Sequence, residues 1–183
     1  MSQAVLMSIK PEWLLKILPG DKTIEMRKSS PAQLKPPFTV YVYCTEPTTT
    51  DPKKHIKTHV YDDDGNHKIY PCNGKVMGWF ICDVITKYPD VDCCFANTLE
   101  TLAMIGRDEA RKYANGKTLY GWHISDFRIF DKPKELSEFK RWNRTEDNAP
   151  CAHVKVLYEP CETCTACNVT RPPQSWMYVE ELQ

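Results

Sequence analysis

The chain has 183 residues, 26% of them charged, and its 24 Lys and Arg balance its 24 Asp and Glu, which gives a formal net charge of zero. This balance argues against a protein that coats long nucleic acid by bulk electrostatics, because such proteins usually carry a basic surface. It leaves open the recognition of one flipped or unpaired base in a pocket. The length fits a single domain, residues 1–183, and no apolar run is long enough to cross a membrane.

The first predicted element is a helix of about two turns that begins at Pro11. Apolar residues recur at helical spacing from Trp13 to Leu18. Proline is favoured at the first position of a helix, and Gly20 can adopt the left-handed conformation that often follows a helix end. We therefore expect a short helix that stops at Pro19-Gly20.

A half-buried strand is predicted next, from Thr23 to Arg27. Polar and apolar residues alternate over this stretch, so Thr23, Glu25 and Arg27 share one face. Lys22 stands at the start of the strand, where its side chain can lean to either side. Charged groups therefore collect on one face of a short strand.

Two further strands are predicted at 38–44 and 74–84, both rich in β-branched and aromatic residues. Residues 51–73, between them, are interpreted as an inserted β-hairpin. Its strands, 55–61 and 67–70, flank an Asp-, Gly- and Asn-rich turn and carry three of the five histidines. The hairpin is either a cover for a binding face or a solvated decoration.

The second half predicts a helix at 98–114, a strand at 119–130 and a strand break at 131–133. A short helix over 136–142 and a last strand at 175–181 follow. Strands with short helices between them, and no regular strand–helix–strand alternation, favour an α+β fold. We expect a mixed β-barrel with short flanking helices and the inserted β-hairpin.

The string that begins at Gly20 resembles the signature of the ASCH domain family. That signature has the form Gly-x-Lys-x-x-Glu-x-Arg, and its fixed positions are met by Gly20, Lys22, Glu25 and Arg27. Segments 120–126 and 172–180 are similar to small bacterial and phage-borne members. The resemblance implies a PUA-like barrel in which the Lys-Glu-Arg string lines a cleft beside the first helix.

The predicted function is a binding module that recognises RNA or a modified nucleotide through this cleft. An ammonium, a carboxylate and a guanidinium together offer donors and acceptors to a planar polar ligand, and aromatic rings offer a surface for base stacking. The simpler alternatives are a solvated ion-pair ladder for the charges and core packing for the tryptophans. The candidate ligand-binding residues are Lys10, Lys22, Glu25, Arg27, Tyr43, Trp122, His123 and Trp176.

The alternative function is a small hydrolase that uses the same cleft. The resemblance includes amidohydrolases that act on acetylated cytidine with a lysine, a threonine and a distant glutamate, and it includes proposed ribonucleases. Lys22 matches the lysine, whereas Glu25 stands where the threonine is expected. Thr23, on the same predicted face, is the remaining hydroxyl. The candidate catalytic residues are therefore Lys22, Thr23 and Glu25.

A cysteine-rich loop at 150–170 is a candidate structural zinc site. Cys161, Cys164 and Cys167 are spaced by two residues, and Cys151 or His153 lies upstream as a fourth ligand. The alternative is a reduced loop without metal. The sequence shows no glycine-rich phosphate loop or dinucleotide fingerprint, so no nucleotide cofactor is predicted. The N-terminal residues lack the order of a secretory signal, so we expect a cytoplasmic protein.

Overall fold

The computed structural model of the protein describes residues 2–61, 64–91, 100–142 and 167–182. These ranges hold β1 (Gln3–Ile9), α1 (Pro11–Ile17), β2 (Ile24–Arg27), β3 (Phe38–Cys44), β4 (Lys57–Tyr61), β5 (His67–Pro71), β6 (Lys75–Cys82), β7 (Ile85–Tyr88), α2 (Arg107–Ala114), β8 (Leu119–His123), β9 (Ser125–Lys134) and β10 (Trp176–Glu180). Short 3₁₀ helices lie at Pro52–Lys54 and Leu136–Glu138. The fold is α+β and mostly strand, as the sequence predicts.

The described strands form three sheets. A five-stranded sheet has the order β10-β1-β3-β6-β9, a three-stranded sheet the order β2-β8-β7, and β4 pairs with β5 alone. β1 runs parallel to β3, and the other strand pairs are antiparallel. Within the described ranges each sheet has free edges and no closed barrel is found. The mixture of parallel and antiparallel strands is therefore confirmed, whereas the closure of the sheets into a barrel stays a prediction.

The first helix and the strand after it form where the sequence predicts them. α1 has Pro11 in its first turn and is followed by Gly20 at φ +88°, a left-handed conformation that glycine adopts without strain. In β2, Ile24 and Met26 pack into an apolar cluster with α2 and β8. Because side chains alternate along a strand, Glu25 and Arg27 point to the opposite face. This alternation positions the charged string beside α1.

Apolar packing fixes these elements on both sides. One cluster lies between α1 and the five-stranded sheet and contains the fully buried Phe80 and Trp122. A second cluster joins β2 and β8 to α2, and a third covers the other face of the five-stranded sheet around Phe139. Burying each of these large side chains stabilises the fold by about 1.5–3 kcal/mol.

The predicted helix at 98–114 is wrong in extent. Residues 92–99 lie outside the described part of the chain, residues 100–102 are helical, and α2 begins at Arg107 after a break in which Met104 has φ +51°. The break has a tertiary cause, because the carbonyl of Leu102 accepts a hydrogen bond from the Thr23 backbone N–H at 2.9 Å. A continuous helix would need that carbonyl for its own next turn.

The predicted single strand at 119–130 is two strands, β8 and β9, separated by Ile124. The backbone N–H of Ile124 donates to the Thr23 carbonyl at 2.8 Å. This N–H is therefore not available for the hydrogen bonds that pair β8 or β9 with its neighbouring strand. The predicted break at 131–133 is also wrong, since β9 continues through Pro133 to Lys134. β9 is an edge strand, where the missing N–H of a proline leaves no partner unsatisfied.

The predicted helix at 136–142 is reduced to the 3₁₀ turn Leu136–Glu138. Lys140 and Arg141 then form isolated β-bridges with Asn168 and Val179, so this segment runs extended along neighbouring chain. The side chain of Phe139, in this segment, is fully buried in the third apolar cluster, and this burial favours the extended conformation of the segment.

β4 and β5 pair as an antiparallel hairpin at the predicted place, with Tyr61 opposite His67. Asp62 and Asp63 in its turn lie outside the described residues. Its interpretation as an insertion in a single domain stays a prediction. In the part of the chain that the structure describes, no helix is long and apolar enough to span a membrane.

Candidate functional site

A cavity of about 190 Å³ lies between α1, β2 and α2. The charged string forms its floor, and one aromatic ring from each helix contributes to its walls. Its lining residues are Ser8, Lys10, Trp13, Lys22, Glu25, Met26, Arg27, Ile105, Glu109 and Tyr113. Four of the predicted ligand-binding residues, Lys10, Lys22, Glu25 and Arg27, are therefore brought together around one space.

Lys22 is buried, with 3% of its surface exposed. Its ammonium donates to the carbonyls of Ile24 at 2.7 Å and Ala103 at 2.8 Å, and it lies 3.4 Å from Glu25 Oε2. Burial lowers the pKa of Lys22 below its usual 10.5, while the adjacent Glu25 carboxylate partly offsets that effect. One carbonyl belongs to β2 and the other to the segment before α2, so Lys22 also holds that segment against β2.

Glu25 and Arg27 form a buried ion pair. Arg27 Nη2 lies 3.0 Å from Glu25 Oε1 and donates to the Ser8 carbonyl at 2.7 Å. Two buried polar atoms of this pair make no hydrogen bond: Arg27 Nε, and Glu25 Oε2, whose contact is the 3.4 Å ion pair with Lys22. One is an acceptor and the other a donor, and a buried polar atom without a partner costs about 1–3 kcal/mol.

The three buried charges do not cancel. Lys22 and Arg27 contribute two positive charges and Glu25 one negative charge, which leaves the floor with one net positive charge. Lys10 adds a positive charge at the rim, where 70% of its side chain is exposed, and the exposed Glu109 adds a negative one. The cavity therefore favours a polar ligand that is neutral or carries a single negative charge.

Trp13 and Tyr113 supply the aromatic part of the lining. Two ammonium groups, those of Lys16 at 4.6 Å and Lys22 at 5.0 Å, lie over the Trp13 ring, an arrangement that polarises its face. The Tyr113 hydroxyl donates to the Met26 carbonyl at 3.4 Å, and burial raises the pKa of Tyr113. Each ring is fixed by its own contacts before any ligand arrives.

The other sequence-predicted residues lie outside this lining. Trp122 is fully buried and packs edge-on against Phe38, so it contributes to the core. Tyr43 belongs to the apolar cluster on the far side of the five-stranded sheet. The Trp176 indole donates to Ser29 Oγ at 3.0 Å, and Thr23 pairs through its backbone.

His123 also lies outside the cavity lining, but it has a defined partner. Its Nδ1 lies 2.6 Å from Asp83 Oδ1, and both side chains are about two-fifths exposed. The hydrogen bond from His123 lowers the pKa of Asp83 below its usual 3.8. The pair forms a surface dyad, separate from the buried charges.

The predicted zinc ligands Cys151, Cys161 and Cys164, with His153, lie outside the described residues. Cys167 is described and is 4% exposed. Among the residues that are described, no group of three or more His, Cys, Asp and Glu side chains is placed to hold a metal. The zinc site stays a prediction.

Sequence reasoning missed Trp13 and Tyr113 as cavity residues. In the sequence Trp13 only marks the start of the apolar pattern that predicts α1. Its position three residues after Lys10, at the helix start beside the charged string, was the available signal. Tyr113 had no such signal, because its approach depends on how α2 packs against β2.

Comparison with solved structures identifies the fold. The structure is similar to that of ASCH from Zymomonas mobilis, with a TM-score of 0.56 and 17% identity over 97% of this chain and 88% of the other. Two variants of that protein also match, each over 97% of this chain. The Tyr-to-Phe variant has a TM-score of 0.56 and 17% identity over 91% of its own chain. The Ser-to-Ala variant has a TM-score of 0.55 and 16% identity over 89% of its own chain. No family model and no curated protein matches the sequence.

Proposed function

From an ASCH-domain fold with a charged cavity beside its first helix, we propose that the protein recognises RNA or a modified nucleotide by holding one base in that cavity. The observation that carries the proposal is a pair of buried atoms that make no hydrogen bond, Arg27 Nε and Glu25 Oε2, the second of which has only its 3.4 Å ion pair with Lys22. A ligand that presents a donor next to an acceptor satisfies both at once. The edges of nucleobases present such neighbouring donors and acceptors.

The size and lining of the cavity support a single base. Its volume of about 190 Å³ is smaller than the roughly 300–1,000 Å³ of pockets that hold drug-sized ligands. Trp13 and Tyr113 provide ring surfaces, and stacking on an aromatic side chain contributes about 1–3 kcal/mol per base. Stacking supplies affinity here, and the Glu25 and Arg27 atoms supply selectivity.

The charges support a nucleotide over a free base. Lys10 stands exposed at the rim, and because its ion pair with Glu12 is long (4.0 Å) and exposed, its ammonium can turn towards a phosphate or a ribose; the floor retains one net positive charge. This arrangement fits a protein with no overall basic surface, since it recognises one nucleotide locally. The partner is therefore RNA or a nucleotide-like ligand, and we place this activity in the cytoplasm.

We also infer that the sheets curve into the PUA-like barrel that the resemblance implies. Ile124 alone connects β8 of the three-stranded sheet to β9 of the five-stranded sheet. The Ser125 hydroxyl donates to the Ile81 carbonyl at 2.9 Å, and the Ile124 N–H donates to Thr23. The Ser125 contact fixes the start of β9 on β6, and the Ile124 contact ties the connection to the residue before β2, so the junction between the two sheets is held from both sides.

A second candidate function is hydrolysis in the same cavity, of a nucleoside amide or of an RNA phosphodiester. The lowered pKa of Lys22 favours it, because a buried lysine that loses its proton is a general base. The carbonyls of Ile24 and Ala103 oppose it by stabilising the ammonium form. Thr23 is not part of the lining, so recognition without turnover is the first proposal.

One panel tests both functions. Free nucleosides, including acetylated cytidine, and short single-stranded RNAs are screened for binding by ligand-observed NMR and for product by chromatography. Wild type is compared with two cavity variants, Glu25→Gln and Arg27→Lys, and with Lys22→Met as the test of turnover. The control is Asp108→Asn, a carboxylate-to-amide change at a side chain on α2 that is 97% exposed.

Recognition predicts binding that falls at least tenfold in both cavity variants, remains in the control and gives no product. Product formed by wild type and lost in Lys22→Met would establish the hydrolase instead. Equal binding by wild type and both cavity variants, with folding verified by their NMR spectra, would refute a role for this cavity.

A further inference from the structure

The β4–β5 hairpin carries a histidine pair that the proposed function does not use. Tyr61 lies opposite His67, and His59 lies opposite Ile69. Because residues two apart on a strand share a face, these four side chains lie on one face of the hairpin. All four are exposed, whereas Thr58, Val60 and Tyr70 on the other face are partly buried.

The two imidazoles on this exposed face meet directly. His59 Nδ1 and His67 Nε2 are 2.9 Å apart, with ring centroids separated by 5.0 Å and ring planes inclined by 21°. The Tyr61 ring also stacks on His67, with ring centroids 4.8 Å apart. In the free protein the short nitrogen–nitrogen distance is a hydrogen bond, in which one ring donates and the other accepts.

From this geometry we propose that His59 and His67 form a binding site for a divalent late transition-metal ion of the Ni²⁺, Cu²⁺ and Zn²⁺ class. Neutral imidazole is a preferred ligand of these ions. Two nitrogens bound to one ion at about 2.0–2.1 Å are about 2.9–3.4 Å apart, for neighbouring positions of a six-coordinate ion such as paramagnetic Ni²⁺ or for tetrahedral geometry. The observed separation of 2.9 Å falls at the lower end of that range.

Metal binding requires only small changes in the pair. The proton of the donating ring moves to its other nitrogen, so both rings stay neutral and no net proton is released. Each ring then turns until its lone pair points at the ion. Among the described residues no third His, Cys, Asp or Glu side chain joins the pair, so the described site supplies two protein ligands and leaves the other coordination positions to water or another ligand.

The site would link β4 to β5 beside the turn of the hairpin. A two-stranded hairpin is only marginally stable by itself, so a cross-strand link favours its ordered form. The metal site is independent of the proposed cavity function, because none of its residues lines that cavity.

The test is titration of Ni²⁺ into the ¹⁵N-labelled full chain, because paramagnetic Ni²⁺ broadens nearby amide signals and does not oxidise thiols. The variants are His59→Ala and His67→Ala. His55→Ala is the matched control, since His55 is exposed just before β4 and is not part of the pair.

We expect broadening to centre on residues 57–61 and 67–71 in wild type and in the control. The apparent dissociation constant should rise at least tenfold in either of the other variants. Broadening that persists unchanged in one of those variants, or that centres only on the cysteine-rich loop at 150–170, would overturn the proposal. Loss of binding in the His55 control would do the same.

Discussion

Replacing Glu25 by Gln keeps the shape of the side chain and removes the only negative charge on the cavity floor. Lys22 and Arg27 then remain as two buried cations without a counter-ion, at 3% and 8% exposure. Removing one partner of a buried ion pair typically costs about 3–5 kcal/mol. The amide oxygen of Gln can still accept from Arg27, so we expect a loss at the lower end, about 3 kcal/mol.

Urea unfolding followed by circular dichroism measures this loss, and thermal unfolding checks it. For a chain of this size, about 2–4 °C per kcal/mol predicts a fall in Tm of about 6–12 °C. Asp108→Asn is the control and should stay within about 0.5 kcal/mol of wild type, because its carboxylate is exposed.

A double variant, Lys22→Met with Glu25→Gln, should lose less stability than the sum of the two single variants, since one of the uncompensated cations is gone. A loss below about 1 kcal/mol in Glu25→Gln alone would refute the reasoning, because the carboxylate would then be worth no more than a surface ion pair.

Three further predictions concern other parts of the structure. Gly78→Ala should lower the free energy of unfolding in urea by about 3 kcal/mol, because the new Cβ would lie 2.2 Å from the Arg128 carbonyl oxygen. The control Gly106→Ser should leave that free energy unchanged, since no atom lies within 4 Å of a Cβ at Gly106. Burial raises the pKa of the Cys44 thiol from 9.0 to about 12, so the folded state holds this proton more tightly than the unfolded state does. The contribution of Cys44 to the free energy of unfolding is therefore fully present below pH 9 and decreases as the pH rises towards 12. Unfolding in urea at several pH values should show a smaller decrease for Cys44→Ala. His123→Ala should raise the pKa of Asp83 towards 3.8, measured by NMR titration of its carboxyl carbon, and an unchanged pKa would mean that the dyad does not form in solution.

The elements that sequence reasoning predicted well are those with local causes. β3 was predicted with its observed bounds, because a run of β-branched and aromatic residues needs no distant partner to be recognised. The helix before Gly20 was defined by a proline at its start and a glycine after its end. The alternation from Thr23 to Arg27 likewise predicted that Glu25 and Arg27 share one face of β2, and it left the direction of Lys22 open.

The errors arose where a distant contact decides the local conformation. The break before α2 depends on the hydrogen bond from Thr23 to Leu102, which links residues far apart in the sequence. The passage of β9 through Pro133 depends on its place at the sheet edge. The near-complete burial of Lys22 could not be predicted either, because one of the carbonyls that accept from its buried ammonium belongs to Ala103, which is distant in the sequence.

The hydrogen bonds of Lys22 have a consequence for which ligands the cavity can discriminate. Its ammonium already serves two backbone carbonyls, so a ligand that recruits it leaves at least one of them unpaired, at a cost of about 1–3 kcal/mol. A ligand that addresses Glu25 Oε2 and Arg27 Nε breaks no hydrogen bond and meets only the 3.4 Å ion pair between Lys22 and Glu25. The protein's own backbone thus competes with phosphate-like groups for the lysine, and the cavity selects ligands by the shape of a neutral polar edge.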